Sequence, residues 1–312
     1  MTTHYFNPSV YYGTFGSHPP ALRIQDGDTV VTTTLDSRGC DAGGNCLIEA
    51  VNPQTGPFFV EGSEPGDTLA VKLERMIPHP GRELGYSGAV LAPHVVDPGF
   101  VPELPIVEDR RSFWRFDHVA GTAMLERLDT ALSGIRLPLQ PMLGCLGVAP
   151  DRGQFIGSMT SGRYGGNMDY RGFCQGCTAY FPVFVPGALF HLGDGHALQG
   201  HGEITGMGIE TPFEVQFTVK VIKNKLINWP RGENDEFIFT AGNARPLDQA
   251  LQHATTEMVH WLVEDYGFDR IGAHILMGVC VEYEIGNVYD PAYTVVCKMA
   301  KKLLNQNRNP KI

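Results

Sequence analysis

Apolar and polar positions alternate along several short runs of this chain. "DTVVTTTL" (28–35), "DTLAVKLERMI" (67–77), "TAYFPVFV" (178–185) and "FEVQFTVKVI" (213–222) are rich in β-branched and aromatic residues, and partly alternate as half-buried strands do. Glycines and prolines punctuate these runs as far as about residue 245, so the first three quarters of the chain reads as mostly β. "QDGDTVVTTTL" and "EPGDTLAVKLERM" each place a Gly-Asp-Thr turn before an apolar strand, which is a common strand entry and too short to establish a repeat.

The period changes near residue 246. In "RPLDQALQHATTEMVHWLVEDYGF", Leu247, Leu251, Met258 and Leu262 recur at near-helical spacing behind Pro246, and Gly267 suits the stop. A second helix is expected from about Asp269 to Cys280, followed by strands through "VEYEIGNV" and "YTVVCKMA". The expectation is therefore a β-rich body over 1–245 and an α+β part over 246–312 packed on it. Residues 78 to 112, proline-rich and weakly periodic, read as a long loop or excursion that could cover a site.

Composition narrows the function. Hydrophobic residues at 43% and charged residues at 19% belong to a folded protein rather than a disordered one. A formal charge of −10 argues against a nucleic-acid partner, because phosphate backbones are bound by clustered Lys and Arg. The start "MTTHYFNPSV" has neither a basic nor an apolar leader region, and no run approaches a membrane span; a cytoplasmic protein is expected. Seven cysteines, odd in number and irregular in spacing, predict mostly reduced thiols. Cys174 and Cys177 form the one CxxC, and with no second such pair to complete a four-sulfur site they read as buried or half-buried thiols. GxSxG and Walker motifs are absent from the sequence.

The densest chemistry lies in "FHLGDGHALQGHGE" (190–203). Asp194 and His196, two residues apart, can point the same way from extended backbone. A set mixing carboxylate and imidazole suits Zn²⁺, Mn²⁺ or Fe²⁺ better than Ca²⁺. The glycines at 193, 195, 200 and 202 would permit left-handed turns and close approach. Read plainly, the same stretch is a surface hairpin that happens to carry histidines. His191 and His201 are the weaker members, read as packing or solvated side chains. Three further carboxylate-bearing stretches carry the same ambiguity. "SMTSGRYGGNMDYRG" places Asn167 and Asp169 after a Gly-Gly that also suits a hairpin turn; "NPQTGPFFVEGSEPGD" places Glu61 where an edge carboxylate is the plainer reading; Asp36 closes an apolar strand in "TTTLDSRGCDAGGN".

Taken in order, "NPQTGPFFVEGSEPGDTLAVKL", "LGCLGVAP", "GGNMD", "YFPVFVPGALFHLGDGHALQGHGE" and "GIETPFEVQFTV" resemble the acetamidase/formamidase family, colinearly from about residue 25 to 300. The resemblance implies a metal-containing hydrolase of short-chain amides, a β-sandwich-like body with an accessory α+β part, and a homo-oligomer, dimer or tetramer. The family motif falls on Gly193, Asp194, His196, Ala197, Gln199 and Gly200, with Glu203 trailing. It implies Asp36, Asp194 and His196 as ligands of a divalent metal, Zn²⁺ first, with Mn²⁺, Fe²⁺ or Ca²⁺ as alternatives. Glu61 is then the expected base, Glu203 a ligand or an orienter of one, and Asn167 the group that holds the amide or the oxyanion. "DYRGFCQGCTAYF" departs from the expected pattern in its bulk and leaves substrate size open. Two other readings stand beside this one: a metal-dependent hydrolase of cyclic amides, carbamates or larger amides, and a binding protein whose metal is structural.

Overall fold

The computed structural model describes residues 1–304. Its body is two β-sheets packed face to face. The larger has nine strands, in the spatial order Thr3–Tyr5, Thr29–Thr33, Phe213–Ile222, Thr68–Pro78, Thr178–Pro182, Arg231–Glu233, Phe237–Ala244, Tyr293–Ala300 and Glu282–Ile285. The second has six: Ser161–Gly162, Gly165–Asn167, Met142–Gly147, Phe190–His196, Gln54–Val60 and Leu22–Ile24. Alternation in the sequence appears as alternation in burial. Along Phe213–Ile222, Phe213, Val215, Phe217, Val219 and Val221 point inward while Glu214, Gln216, Thr218 and Lys220 point away.

Aromatic side chains fill the space between the sheets. Phe217 of the nine-stranded sheet meets Phe58 and Phe190 of the six-stranded one edge-on, with ring centroids 5.2 and 5.3 Å apart, an arrangement that adds quadrupolar attraction to burial. This is the expected β-sandwich-like body.

The helical part lies against the outer face of the same nine-stranded sheet. Helix α1 (Leu247–Glu264) and helix α2 (Arg270–Cys280) bury Ala254, Met258, Trp261, Leu262, Ala273 and Met277 on Ile238, Cys297 and Met299. Asp269 caps α2 by accepting a hydrogen bond from the Gly272 N–H at 2.9 Å, as N-terminal aspartates do. Leu251, expected inward, is half-exposed; Ala250 and Ala254 are the residues of α1 that sit over Gly242, where a Cβ would lie 2.0 Å from the Ala250 carbonyl oxygen. The boundary at 245/246 is crossed by pairing, since Phe237–Ala244 runs antiparallel to Tyr293–Ala300 over its whole length.

One expectation changes, and another holds with one exception. Residues 78 to 112 are no simple loop: Leu84–Gly88 and the strand beginning at Arg111 belong to a separate four-stranded sheet with Thr122–Leu125 and Arg136–Pro138, in which local pairing compensates for weak hydrophobic periodicity. Among the cysteines, Cys40 and Cys46 form a disulfide while the other five are free, Cys174 and Cys177 included. The tight turn that brings 40 beside 46, closed by Gly44 N–H donating to the Asp41 carbonyl, carried no cysteine spacing that sequence would flag.

Candidate active site

Strand Phe190–His196 runs through the middle of the six-stranded sheet with every residue buried, paired on one side to Met142–Gly147 and on the other to Gln54–Val60. Asp194 sits within it at φ +58°, and Gly144 faces it across the sheet: a Cβ on Gly144 would lie 2.3 Å from Asp169 Oδ1 and 2.6 Å from Asp194 Oδ2. The glycine is there because two carboxylates occupy the space of its missing side chain. Gly193 and Gly195 likewise allow close approach, by the Pro53 carbonyl and the Phe213 ring. Of the four glycines flagged for left-handed turns, only Gly202 takes one, at φ +88°. The strain falls on functional residues instead. Among the described residues eight non-glycines have positive φ, and four of them, Asn52, Asp169, Asp194 and Glu203, stand at this site. Such strain persists only where the surroundings over-determine it.

Around His196 the fold gathers five buried carboxylates: Asp169, Asp194, Glu203, Glu210 and Asp290. His196 Nε2 is 3.0 Å from Glu210 Oε1 and 3.4 Å from Asp194 Oδ1. Donor atoms of Asp194, His196 and Glu210 lie within 4.8 Å of one another, as do those of Asp169, His196 and Glu203. Asp169 Oδ1, Asp194 Oδ1, His196 Nε2 and Glu210 Oε2 are buried without a well-formed hydrogen bond. Four such atoms in one buried cluster would each cost a desolvation penalty, and a cation within the cluster is the arrangement that removes it. The residues present therefore fit a divalent metal.

Protonation follows the same logic. Burial, and then the neighbouring acids, hold the Asp169 carboxyl well above the usual range; burial does the same for Glu203 and raises Glu210, in both cases against His196. Asp290 is pushed up to about 7, mainly by burial. For His196 burial acts downward, but Glu210 and Asp194 push upward and prevail.

Amides order the carboxylates. Asn52 Nδ2 donates to Asp194 Oδ2 at 3.1 Å and to Asn167 Oδ1 at 3.3 Å; Asn167 Nδ2 donates to Asp290 Oδ2 at 2.6 Å. Asn287 Nδ2 reaches Asp169 Oδ2 at 3.3 Å. Above them opens a cavity of about 520 Å³ whose floor includes Asn167, Asp194, Glu203, Glu210 and Asp290.

The sequence-derived candidates distribute unevenly. Asp194, His196, Asn167 and Glu203 come together. Asp36 is buried nearby, but its Oδ1 accepts the Arg38 and Cys40 N–H groups at 3.0 and 2.9 Å, so it ties the turn and stands outside both donor sets. Glu61 lies elsewhere. The strand that precedes it begins at Gln54, opposite Gly193, and seven residues at roughly 3.3 Å each carry Glu61 about 23 Å away. There it is half-exposed and pairs with Arg23 at 2.9 Å. His191 is buried with Nε2 3.1 Å from the Gly16 carbonyl oxygen, and burial pushes it down to about 3; His201 is exposed.

Glu210 and Asp290 were not singled out from sequence. Glu210 lies in "GIETPFEVQFTV", a stretch that the family resemblance uses, but no local spacing links it to His196. The isolated bridge between His196 and Glu210 does. Asp290, in "NVYDP", carries no such signal.

A model of the acetamidase/formamidase family matches residues 17–159 and 156–302. The chain belongs to this family. Among solved structures, an acetamidase from Yersinia enterocolitica superposes with a TM-score of 0.82 and 31% identity, covering 97% of this chain and 93% of that one. An acetamidase of Mycolicibacterium smegmatis is 29% identical over 62% of this chain and 58% of its own length, and a relative in Schizosaccharomyces pombe is 25% identical over 67% of this chain and 63% of its own. The chain thus spans about three fifths of these two curated relatives. In this family member the matched region contains every residue of the carboxylate cluster.

Proposed function

We propose that this chain is a metal-dependent hydrolase of linear amides, releasing ammonia and the carboxylate, with formamide and acetamide as the reference substrates. The observation that carries the reading is the group of buried donor atoms without hydrogen bonds around His196, placed below an open cavity in a member of the acetamidase/formamidase family.

Asp169, Asp194, His196, Glu203 and Glu210 would hold the metal, with Zn²⁺ favoured over Mn²⁺, Fe²⁺ or Ca²⁺ by the imidazole in the set. Bound there, a divalent cation lowers the pKa of water and polarises a carbonyl. The remaining work falls to side chains. Asp290 lies outside both donor sets and lines the cavity with one oxygen held by Asn167, which supports the assignment of Asp290 as the base that accepts the proton of the attacking water and returns it to the departing nitrogen. That role, expected of Glu61 from sequence, moves here because Glu61 is past the far end of the strand that precedes it. Asn167 spends its amide on Asp290 and Asn52 and orients the base; the amide of the adjacent Asn52 holds Asp194.

The reading extends to assembly and location. Ile271, Ile275 and Val279 form one stripe of α2 and are 73%, 64% and 78% exposed, more apolar surface on one helix face than a monomer usually leaves in water. It supports a homo-oligomer in which this stripe meets a second copy. Among the described residues no helix is long and apolar enough to cross a membrane, in keeping with a cytoplasmic enzyme.

Ammonia release from formamide, acetamide and propionamide, measured on chelator-stripped protein and after restoring Zn²⁺, Mn²⁺ or Ca²⁺, tests the reading. Metal-dependent release supports it. Folded, metal-loaded protein that hydrolyses no amide overturns it.

A further inference from the structure

The cavity over the carboxylate cluster is much larger than acetamide, and its polarity is divided. Water's share of liquid volume is about 30 Å³, and acetamide occupies only about two to three times that. A space of about 520 Å³ belongs to the range of roughly 300–1,000 Å³ that encloses much larger ligands. Its floor is carboxylate and carboxamide. Toward solvent it is lined by Val51, Met159, Met207 and Tyr289, and also by the charged, exposed Arg38 and Glu49.

These mouth residues are organised as two walls. On one side the Ser158 hydroxyl donates to the Val51 carbonyl at 2.8 Å, holding Val51 beside the segment that carries Met159. On the other, Gly206 lies flat under the Tyr289 ring, where a Cβ would come within 2.5 Å, so Met207 and Tyr289 are neighbours. Val51, Met159 and Tyr289 are 53%, 40% and 37% exposed. Apolar side chains beside a polar-floored cleft, here sharing its edge with the Arg38 and Glu49 charges, are surface that a bound ligand would cover.

Resting on the amide-hydrolase reading, we infer that the substrate is a neutral primary amide with an extended apolar acyl group, arylalkyl or branched, rather than formamide or acetamide. The reacting carbonyl must sit at the floor, beside the donor atoms of Asp194 and Glu210. The acyl group then has one direction open to it, toward the mouth, because the floor itself is lined by acids that reject an apolar chain and repel an anionic one. Thioether and aromatic walls accommodate a flat or branched hydrocarbon. A methyl group would leave them in water.

The test is kcat/KM by ammonia release from metal-loaded protein for acetamide, butyramide, hexanamide and phenylacetamide. Each buried methylene contributes about 0.8 kcal/mol, equivalent to roughly three- to fourfold, so phenylacetamide is expected to exceed acetamide at least tenfold, with the gain chiefly in KM. Met159→Ser and, separately, Val51→Ser, both at exposed positions, are expected to lower the phenylacetamide-to-acetamide ratio at least threefold. Acetamide turned over as well as phenylacetamide, or a ratio unmoved by both variants, overturns this inference and leaves amide hydrolysis standing. Failure on every amide removes the underlying reading instead.

Discussion

The side-chain oxygen of Gln199 lies 2.7 Å from Nδ1 of His196. The Gln199 amide nitrogen is committed to the Asp169 carbonyl oxygen at 2.6 Å and approaches that of Gly286 at 3.4 Å, so the oxygen is the end left for the imidazole. It can only accept. Nδ1 therefore carries a proton, and in the neutral ring Nε2 presents its lone pair to Asp194 and Glu210, the tautomer a metal ligand requires. Gln199→Leu is expected to lower metal affinity about 10- to 100-fold, as loss of a partner that orients a ligand does, with the folded circular-dichroism spectrum retained. Metal titration checks this, and unchanged affinity would mean that the ring is oriented by its other contacts.

His196 and Asp290 are expected to fail differently. His196→Ala removes the one donor common to both candidate metal sets, so bound metal and ammonia release should fall together. Asp290→Asn keeps both sets, and should retain metal while turnover drops about 10²–10⁴-fold, the usual worth of a proton-transfer group. Glu61→Gln, paired only with Arg23 at the surface, should change neither. Elemental analysis beside steady-state kinetics separates the three; an inactive, metal-replete Glu61→Gln enzyme would return the base to that residue.

Gly144→Ala probes the crowding directly. Its new methyl would collide with the Asp169 and Asp194 carboxylates, which are held by Asn287 and Asn52 and cannot both retreat. A loss of about 1–3 kcal/mol in stability is expected from overpacking, together with loss of metal. A variant with normal metal content and normal Tm would show that the carboxylates have room to shift.

Asp28 anchors the first strand. Burial raises its pKa, but hydrogen bonds from His4 and from the Gln25 and Thr2 N–H groups outweigh burial and leave the carboxyl at about 2. Because the folded value lies below the unfolded one, the stabilisation is fully present above about pH 4 and is lost as the pH falls through about 2. At 1.36 kcal/mol per unit the contribution is about 2 kcal/mol. Asp28→Asn should lower neutral-pH stability by about that amount and flatten the acid limb of the stability curve; a variant with the same acid limb as the parent would place the acid sensitivity in other carboxylates.

Ile275 lies in the middle of the exposed stripe on α2. Ile275→Glu should leave the fold and Tm nearly unchanged, since the residue makes little use of the interior, while lowering the native mass measured by light scattering. A mass unaltered by the substitution would rule this stripe out as a contact between copies.

Sequence alone determined the features that depend on near neighbours. Alternation in "FEVQFTVKVI" set an amphipathic strand, near-helical spacing set α1, and Asp194 with His196 on one strand set the start of a donor pair, since side chains two apart share a face. The family resemblance added Asn167 and Glu203. The tertiary structure decided what must be assembled from distant segments. Glu210 reaches His196 across a bridge between separate segments, Asp290 enters through Asn167 from 123 residues away, and Cys40 and Cys46 meet in a turn. Glu61 and Asp36 illustrate the reverse: each reads as a site carboxylate in one dimension, yet strand length carries Glu61 away and a turn consumes Asp36. A carboxylate's role is set by what surrounds it after folding, by burial and by opposing charge, and neither is a property of its own stretch of chain.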